Sequence, residues 1–319
     1  MQISLRKLAV DGVLLLDKPV GITSNAAIQR VKRLFSAAKA GHVGTLDPMA
    51  SGLLPVCLGE ATKFSTDTFS ADKSYDAEIL LGVTTTTGDS EGDVIARHAV
   101  SVTHGRISDV LIRFTGALQQ IPPMYSALKR DGKPLYAYAR DGQTVERAPR
   151  GITIHSIDLL DFSGERLKLG VRCTKGTYIR VLAEDIGNAL GCGASLAGLR
   201  RTSVGAFGLQ HAVTLAALEA LAADSRTNTL LPVDCLVAGL AALVLPEDAV
   251  VRIVRGQVAQ LEQTGGIKGL VRLYAPDRRF MGLGDLQQDG RLTPKRLLAS
   301  PTAATGTASG SGQQIPKIA

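Results

Sequence analysis

Several things are missing from this chain, and each absence removes a class of explanation. It has no tryptophan and few other aromatics, so leucine, valine, isoleucine and alanine must fill most of a core. Its four cysteines, Cys57, Cys173, Cys192 and Cys235, form no CxxC pair and lie among apolar neighbours. They read as small buried hydrophobes in a reducing compartment, not as a disulfide framework. The five histidines show no HExxH spacing, which argues against a zinc site. GxGxxG, GxxxxGK[ST] and GxSxG are all absent, so no fingerprint marks a dinucleotide, a nucleoside triphosphate or a hydrolase serine. No stretch has the apolar length of a signal sequence or a membrane span. A cytoplasmic protein without a membrane partner is expected.

What is present is positive charge. The formal charge of +7 draws polyanions at long range, and nucleic acid is the commonest of them. At 319 residues the chain can form one large domain and one small one. The apolar run Val13–Leu16 reads as a buried strand ending at Asp17-Lys18-Pro19. Thr23 or Ser24 then caps a helix with the stripe Ile28, Val31, Leu34 and Phe35. Further strands are expected over 75–81, 152–160, 166–173 and 200–209, with helices over 103–114 and from Thr177 to Leu190, the latter capped by Thr177. Residues 125–150 mix Tyr125, Tyr136 and Tyr138 with Lys129, Arg130, Lys133, Arg140, Arg147 and Arg150, the composition of an insertion rather than a core. After Pro246 short β-like runs broken by Gly265-Gly266, Pro276-Asp277 and Asp289-Gly290 suit a small β-barrel. The Ser/Thr/Gly/Ala-rich tail over 300–319 reads as disordered.

Two segments carry candidate chemistry. In Gly41-His42-Val43-Gly44-Thr45-Leu46-Asp47-Pro48-Met49-Ala50-Ser51-Gly52, three glycines and a proline surround one carboxylate, a tight loop able to approach a ligand. An ordinary Asp-Pro turn explains the same residues. In Lys175-Gly176-Thr177-Tyr178-Ile179-Arg180-Val181-Leu182, a tyrosine and an arginine stand at a helix start. There the ordinary alternative is a surface ion pair and a packed ring.

The loop GHVGTLDPMASG resembles the catalytic motif of the TruB family of pseudouridine synthases. Gly12–Ser24, Lys73-Ser74-Tyr75-Asp76-Ala77, Ile121–Lys129, KGTYIRVLAEDIG and Leu199-Arg200-Arg201-Thr202 resemble further family segments, in the family's order. Val43 and Val181 stand where members often carry a hydroxyl residue. The resemblance implies an α+β fold, with a mixed, largely antiparallel central sheet flanked by helices. It also implies a small C-terminal PUA-like domain. The division expected is a catalytic domain over 1–245 with an RNA-clamping insertion at 124–151, and the small domain over 246–299.

The activity implied is conversion of uridine to pseudouridine in the T loop of transfer RNA, at its position 55. Asp47, Tyr75 and Arg180 would be catalytic, and His42, Tyr178, Leu199, Lys129 and Lys18 would bind substrate or support the loop. No redox change or net group transfer occurs, so neither cofactor nor metal is required; the partner implied is the T stem-loop, met by a monomer. Three rivals stand beside this reading: an RNA chaperone, an RNA-guided relative of the same superfamily, and a hydrolase. Chaperoning of transfer RNA alongside catalysis is compatible with the first.

Overall fold

The computed structural model describes residues 10–68, 71–262 and 264–299; the tail expected to be disordered lies outside them. The chain divides into two compact units, with the boundary between Leu236 and Val237.

In the first unit, local signals and elements agree closely. The apolar run lies in β1 (Gly12–Lys18). Thr23 caps α1 (Ser24–Leu34) by accepting from the Ala26 amide, and Ala27, Ile28 and Val31 turn inward. Then come β2 (Ala40–His42), β3 (Ala50–Leu58), α2 (Ser65–Thr68) and β4 (Lys73–Leu81). Alternate residues of β4, from Lys73 and Tyr75 to Leu81, are buried, as a period of two requires. The polar stretch after β4 is a hairpin of β5 (Val83–Thr85) and β6 (Val94–Arg97).

Next are α3 (His104–Arg113), capped by Thr103, and β7 (Gly116–Gln120). The insertion contains β8 (Lys129–Arg130), β9 (Lys133–Pro134) and α4 (Leu135–Arg140). After it run β10 (Arg150–Ser163), β11 (Arg166–Cys173), α5 (Ile179–Leu190) and β12 (Ala194–Val204). Four short elements, β13 (Phe207–Gly208), β14 (Val213–Thr214), α6 (Leu215–Ala220) and β15 (Leu230–Leu231), finish the unit's regular strands and helices.

Eleven strands form one sheet, with the path β14–β1–β3–β12–β4–β11–β10–β7. Only β1–β14 and β3–β12 are parallel; the mixed, largely antiparallel sheet is the one expected. Ile28, Val31, Ile107, Val110, Leu182 and Ile186 of the helices pack with Ala77, Ile79, Leu169 and Leu196 of the strands in a single core. The central position of β12 matters most. It runs parallel to the start of β3, with Leu199 opposite Ala50 and Arg201 opposite Gly52. It runs antiparallel to β4, with Leu199 opposite Ala77 and Arg201 opposite Tyr75. Three distant stretches of sequence are thereby brought side by side.

The second unit holds β16 (Ala241–Val244), α7 (Glu247–Val254), β17 (Ala259–Gln260), β18 (Gly269–Tyr274), β19 (Phe280–Leu286) and β20 (Arg291–Leu297). Its five strands form a sheet in the order β16–β18–β19–β20–β17. Because Ala241–Val244 pairs with Val271–Tyr274, the expected boundary after 245 moves back to 236. Helix α7 was not expected: its β-branched run Val250-Val251-Arg252-Ile253-Val254 looks like a strand. Yet Glu247 and Asp248 stand in its first turn, and Ala249 and Ile253, four apart, are buried.

Candidate active site

Asp47 lies in the loop between β2 and β3, and that loop is pinned from below. The hydroxyl of Ser24 both donates to Leu46 O and accepts from Leu46 N, each at 2.8 Å. Gly21 N donates to Pro48 O at 2.8 Å, from a backbone with φ +83° that suits glycine. Lys18 is fully buried, its ammonium donating to Pro19 O at 2.9 Å and Ile22 O at 2.8 Å. Burial pulls its pKa down to about 8, opposed by the charges of Asp47 and Glu91. Lys18 therefore braces the turn beneath the loop. Asp17, beside it, holds Arg200 at 2.7 Å.

Above this floor Arg180 Nη2 donates to Asp47 Oδ2 at 2.9 Å. Arg180 is buried, while Asp47 keeps nearly half its side chain open to the cleft. The guanidinium is shared. Nη1 meets Asp89 Oδ2 at 3.2 Å and Thr87 O at 3.2 Å, and Nη2 also donates to Tyr125 O at 2.7 Å. Asp89 is itself buried, accepting from Thr87 Oγ1 at 2.5 Å and from Glu91 N at 3.1 Å. Desolvation consequently raises the Asp47 carboxyl above its ordinary 3.8; Arg180 opposes this, and the charge of Asp89 adds to it. An arginine that keeps Asp47 charged was expected; an arginine divided between two carboxylates offsets burial only in part.

Two cavities meet at the Asp47–Arg180 pair, with Tyr125, Ser126 and Ala127 lining both. One, of about 660 Å³, gathers Tyr75, Tyr178, Leu199, Lys73, Arg150 and Arg201. The other, of about 550 Å³, is lined by His42, Thr45, Asp89, Glu91, Tyr136 and Arg140 among others. Tyr75 is buried, and burial raises its hydroxyl above the usual value against the pull of Arg201. Burial likewise raises the Tyr178 hydroxyl, with Ser126 and the charge of Arg150 opposing. His42 Nε2 lies 3.2 Å from Thr45 Oγ1, and burial and Arg201 lower the ring's pKa, which favours neutral imidazole.

The sequence expectation for Thr177 fails. Tyr178 is the N-cap of α5 and has no side-chain cap, while Thr177 Oγ1 donates to Thr174 O instead. The amide is satisfied by Gln120, whose Oε1 accepts from Tyr178 N at 2.8 Å and whose Nε2 donates to Tyr178 O at 3.1 Å. Gln120, Asp89 and Arg201 are site-bordering residues that sequence reasoning did not single out. Of the eight it did, six line the cavities; Lys18 lies beneath, and Lys129 stands exposed on β8 and lines neither. Among the described residues no cluster of histidine, cysteine, aspartate or glutamate could hold a metal ion, and no helix is long and apolar enough to cross a membrane.

An anionic oxygen at a cavity wall, oriented by a buried guanidinium, can act as a nucleophile. Comparison with known proteins identifies the family. The TruB family pseudouridylate synthase N-terminal domain matches residues 32–179, the tRNA pseudouridylate synthase B C-terminal domain 180–252, and the pseudouridine synthase II TruB C-terminal domain 241–298. The chain is 55% identical to tRNA pseudouridine synthase B of Azoarcus sp. (strain BH72), over 95% of this chain and 99% of that one. It is 55% identical to the protein of that name from Dechloromonas aromatica (strain RCB), over 91% and 96%. A structure of a Cbf5-Nop10-Gar1 complex matches with TM-score 0.66 and 29% identity over 88% of this chain and 79% of that one. The archaeal box H/ACA sRNP Nop10-Cbf5 complex matches with TM-score 0.66 and 26% identity, over 93% and 88%.

Proposed function

This chain belongs to the TruB family of pseudouridylate synthases, and from that premise we propose that it converts uridine to pseudouridine in the T loop of transfer RNA, at position 55, with Asp47 as the nucleophile. The observation that carries the proposal is the 2.9 Å contact between Asp47 and buried Arg180, at the wall of a cavity lined by Tyr75, Tyr178 and Leu199.

The reaction breaks the N1–C1′ bond, turns the base and rejoins it through C5. An ionised Asp47 serves attack at the sugar's C1′ or at C6 of the base alike. Arg180 orients the carboxylate and resists its protonation. Tyr75 stacks on the extruded uracil and assists loss of the C5 proton, while Tyr178 and Leu199 confine the ring so that the freed base stays in reach. His42, as a neutral ring, helps hold the opened loop. Extruding the base costs on the order of a few kcal/mol of stacking and pairing, which phosphate contacts from the cationic 124–151 insertion, Lys129 included, offset.

Identity of 55% to the transfer-RNA synthases, against 29% and 26% to the Cbf5 chains, supports transfer RNA over an RNA-guided substrate. A fold-assisting effect on transfer RNA accompanies catalysis, because binding uses surfaces apart from Asp47. The test is release of tritium from C5-labelled uridine in transfer RNA. Asp47→Asn should abolish release while leaving RNA affinity within about threefold, since the isosteric change spares the cationic surface. Release that survives the substitution would overturn the assignment.

A further inference from the structure

Arg201 is 1% exposed, and among the described residues no carboxylate lies within ion-pair distance of it. A guanidinium taken out of water with no acid beside it is retained only if its N–H groups find oxygens. Two of its bonds are structural: Nε donates to Leu53 O at 2.7 Å and Nη2 to Gly44 O at 2.8 Å. The loop makes room for it. Gly44 has φ +74°, and a Cβ there would sit 3.1 Å from Arg201 Nη1. Opposite it in the β12–β4 register stands Tyr75, its direct cross-strand partner, and each of the two groups biases the charge state of the other. Both side chains line the cavity that holds Asp47.

We infer that Arg201 is a positioning residue for Tyr75, holding the phenol oxygen by N–H donation so that the ring and its hydroxyl are fixed against the uracil. This rests on the reading of Tyr75 as the residue that meets the base. An oxygen that accepts from Arg201 keeps its own hydrogen directed elsewhere, and negative charge developing on it meets a cation already in place. The charged or titratable groups facing Tyr75 are Arg201 from β12, Cys173 from β11 and Asp47 from the loop. Of the three, only Arg201 favours the ionised phenol. Two carbonyl ties would suffice to brace the loop; a buried cation placed directly across the sheet from Tyr75 is what a bracing role leaves unexplained.

The experiment combines kinetics with spectroscopy on the full chain. Arg201→Met should slow single-turnover pseudouridine formation by roughly tenfold or more with transfer-RNA affinity unchanged. In a Tyr75→Phe background the same substitution should cost less than about threefold, since coupled neighbours are non-additive. Equal losses in both backgrounds would overturn the inference. A second arm needs no catalysis. With no tryptophan in the chain, the tyrosinate ultraviolet difference between the parent and Tyr75→Phe reports Tyr75 alone, and Arg201→Met should move that titration to higher pH; an unmoved titration refutes the contact. If Arg201→Met fails to fold, nitrogen-15 spectra of arginine-labelled protein leave Arg201 in place: Tyr75→Phe should shift its guanidinium resonances, and unchanged resonances refute the contact too. If the parent makes no pseudouridine, the proposed function fails while these two spectroscopic arms still decide the pairing.

Discussion

The floor of the site and the insertion above it are built on opposite principles. Beneath Asp47, Ser24 and Lys18 are buried; Ser24 makes two short bonds to the loop backbone and Lys18 two to the turn under it. Above it, the insertion is tied mainly by exposed contacts: Lys133 to Asp141 at 2.5 Å, Arg130 Nη1 to Glu146 O at 2.5 Å, Lys133 over the Tyr138 ring at 4.6 Å and Arg140 over the Tyr136 ring at 5.4 Å. Buried, doubly satisfied bonds hold a nucleophile to a fraction of an ångström. Solvent-facing ion pairs are weak and exchangeable, which suits side chains that must turn from one another to phosphate. The two regions meet at Arg180, which touches Asp47 with the same nitrogen that reaches Tyr125 O.

The contrast breaks most severely at that junction. Arg180→Met strands Asp89 and Asp47 without their cation and frees Tyr125 O. Removing one member of a buried charge network costs about 3–5 kcal/mol, so thermal melting should drop well below the parent's. Turnover should fall on the order of a thousandfold, with transfer-RNA affinity changed far less. Arg180→Lys should recover stability better than rate, because an ammonium cannot reproduce the fork.

Next in size is an effect of pH. The proposed mechanism needs ionised Asp47, whose carboxyl is raised above 3.8 by burial. The saturated rate should therefore fall about tenfold per pH unit below a limb lying above that value. Stability runs the other way. Between the unfolded and the raised folded value the folded state binds more protons, so stability declines as pH rises through that window. The ionised Asp47 is thus a burden to the fold at neutral pH. Asp47→Asn should melt no lower than the parent near neutrality, and a clear loss of melting temperature there would contradict the assigned shift.

Ser24→Ala probes the floor alone. It leaves Leu46 N and O unpaired in a buried place, a loss of about 1–3 kcal/mol. Turnover should fall roughly tenfold through misplacement of Asp47, with an unchanged salt dependence of RNA binding. Retained turnover together with lowered melting would show that the latch serves the fold only.

How much of this could be read beforehand differs between the same regions. The order of motifs pointed to Asp47, Tyr75 and Arg180; β12 brings the neighbourhoods of the first two together, and Arg180 joins them from α5. Asp89 was hidden because Asp89, Glu91 and Asp93 look alike in one polar stretch; only the fold turns the first inward. Arg200 and Arg201 are adjacent, and sequence could not say which would meet Asp17 and which would sink behind Tyr75. Gln120 replaces the expected Thr177 cap from 58 residues away, beyond the reach of local pattern. Helix α7 was missed because burial of Ala249 and Ile253 overrides the strand preference of its valines.

The smallest effect belongs to the outermost residue. Lys129 is exposed on β8 and lines neither cavity, so any contribution it makes is through its charge toward phosphate, not through the cavities. Removing that one cation should weaken transfer-RNA binding about two- to fivefold at low ionic strength and reduce the salt slope by about one ion. The effect should vanish as added salt shortens the screening length. Melting temperature and the single-turnover rate at saturating RNA should not move, because nothing in the floor touches Lys129. A change in the rate with Lys129→Ala would mean that the insertion reaches the Asp47–Arg180 pair mechanically, through Tyr125 O, and the separation between rigid floor and exchangeable clamp would then have to be abandoned.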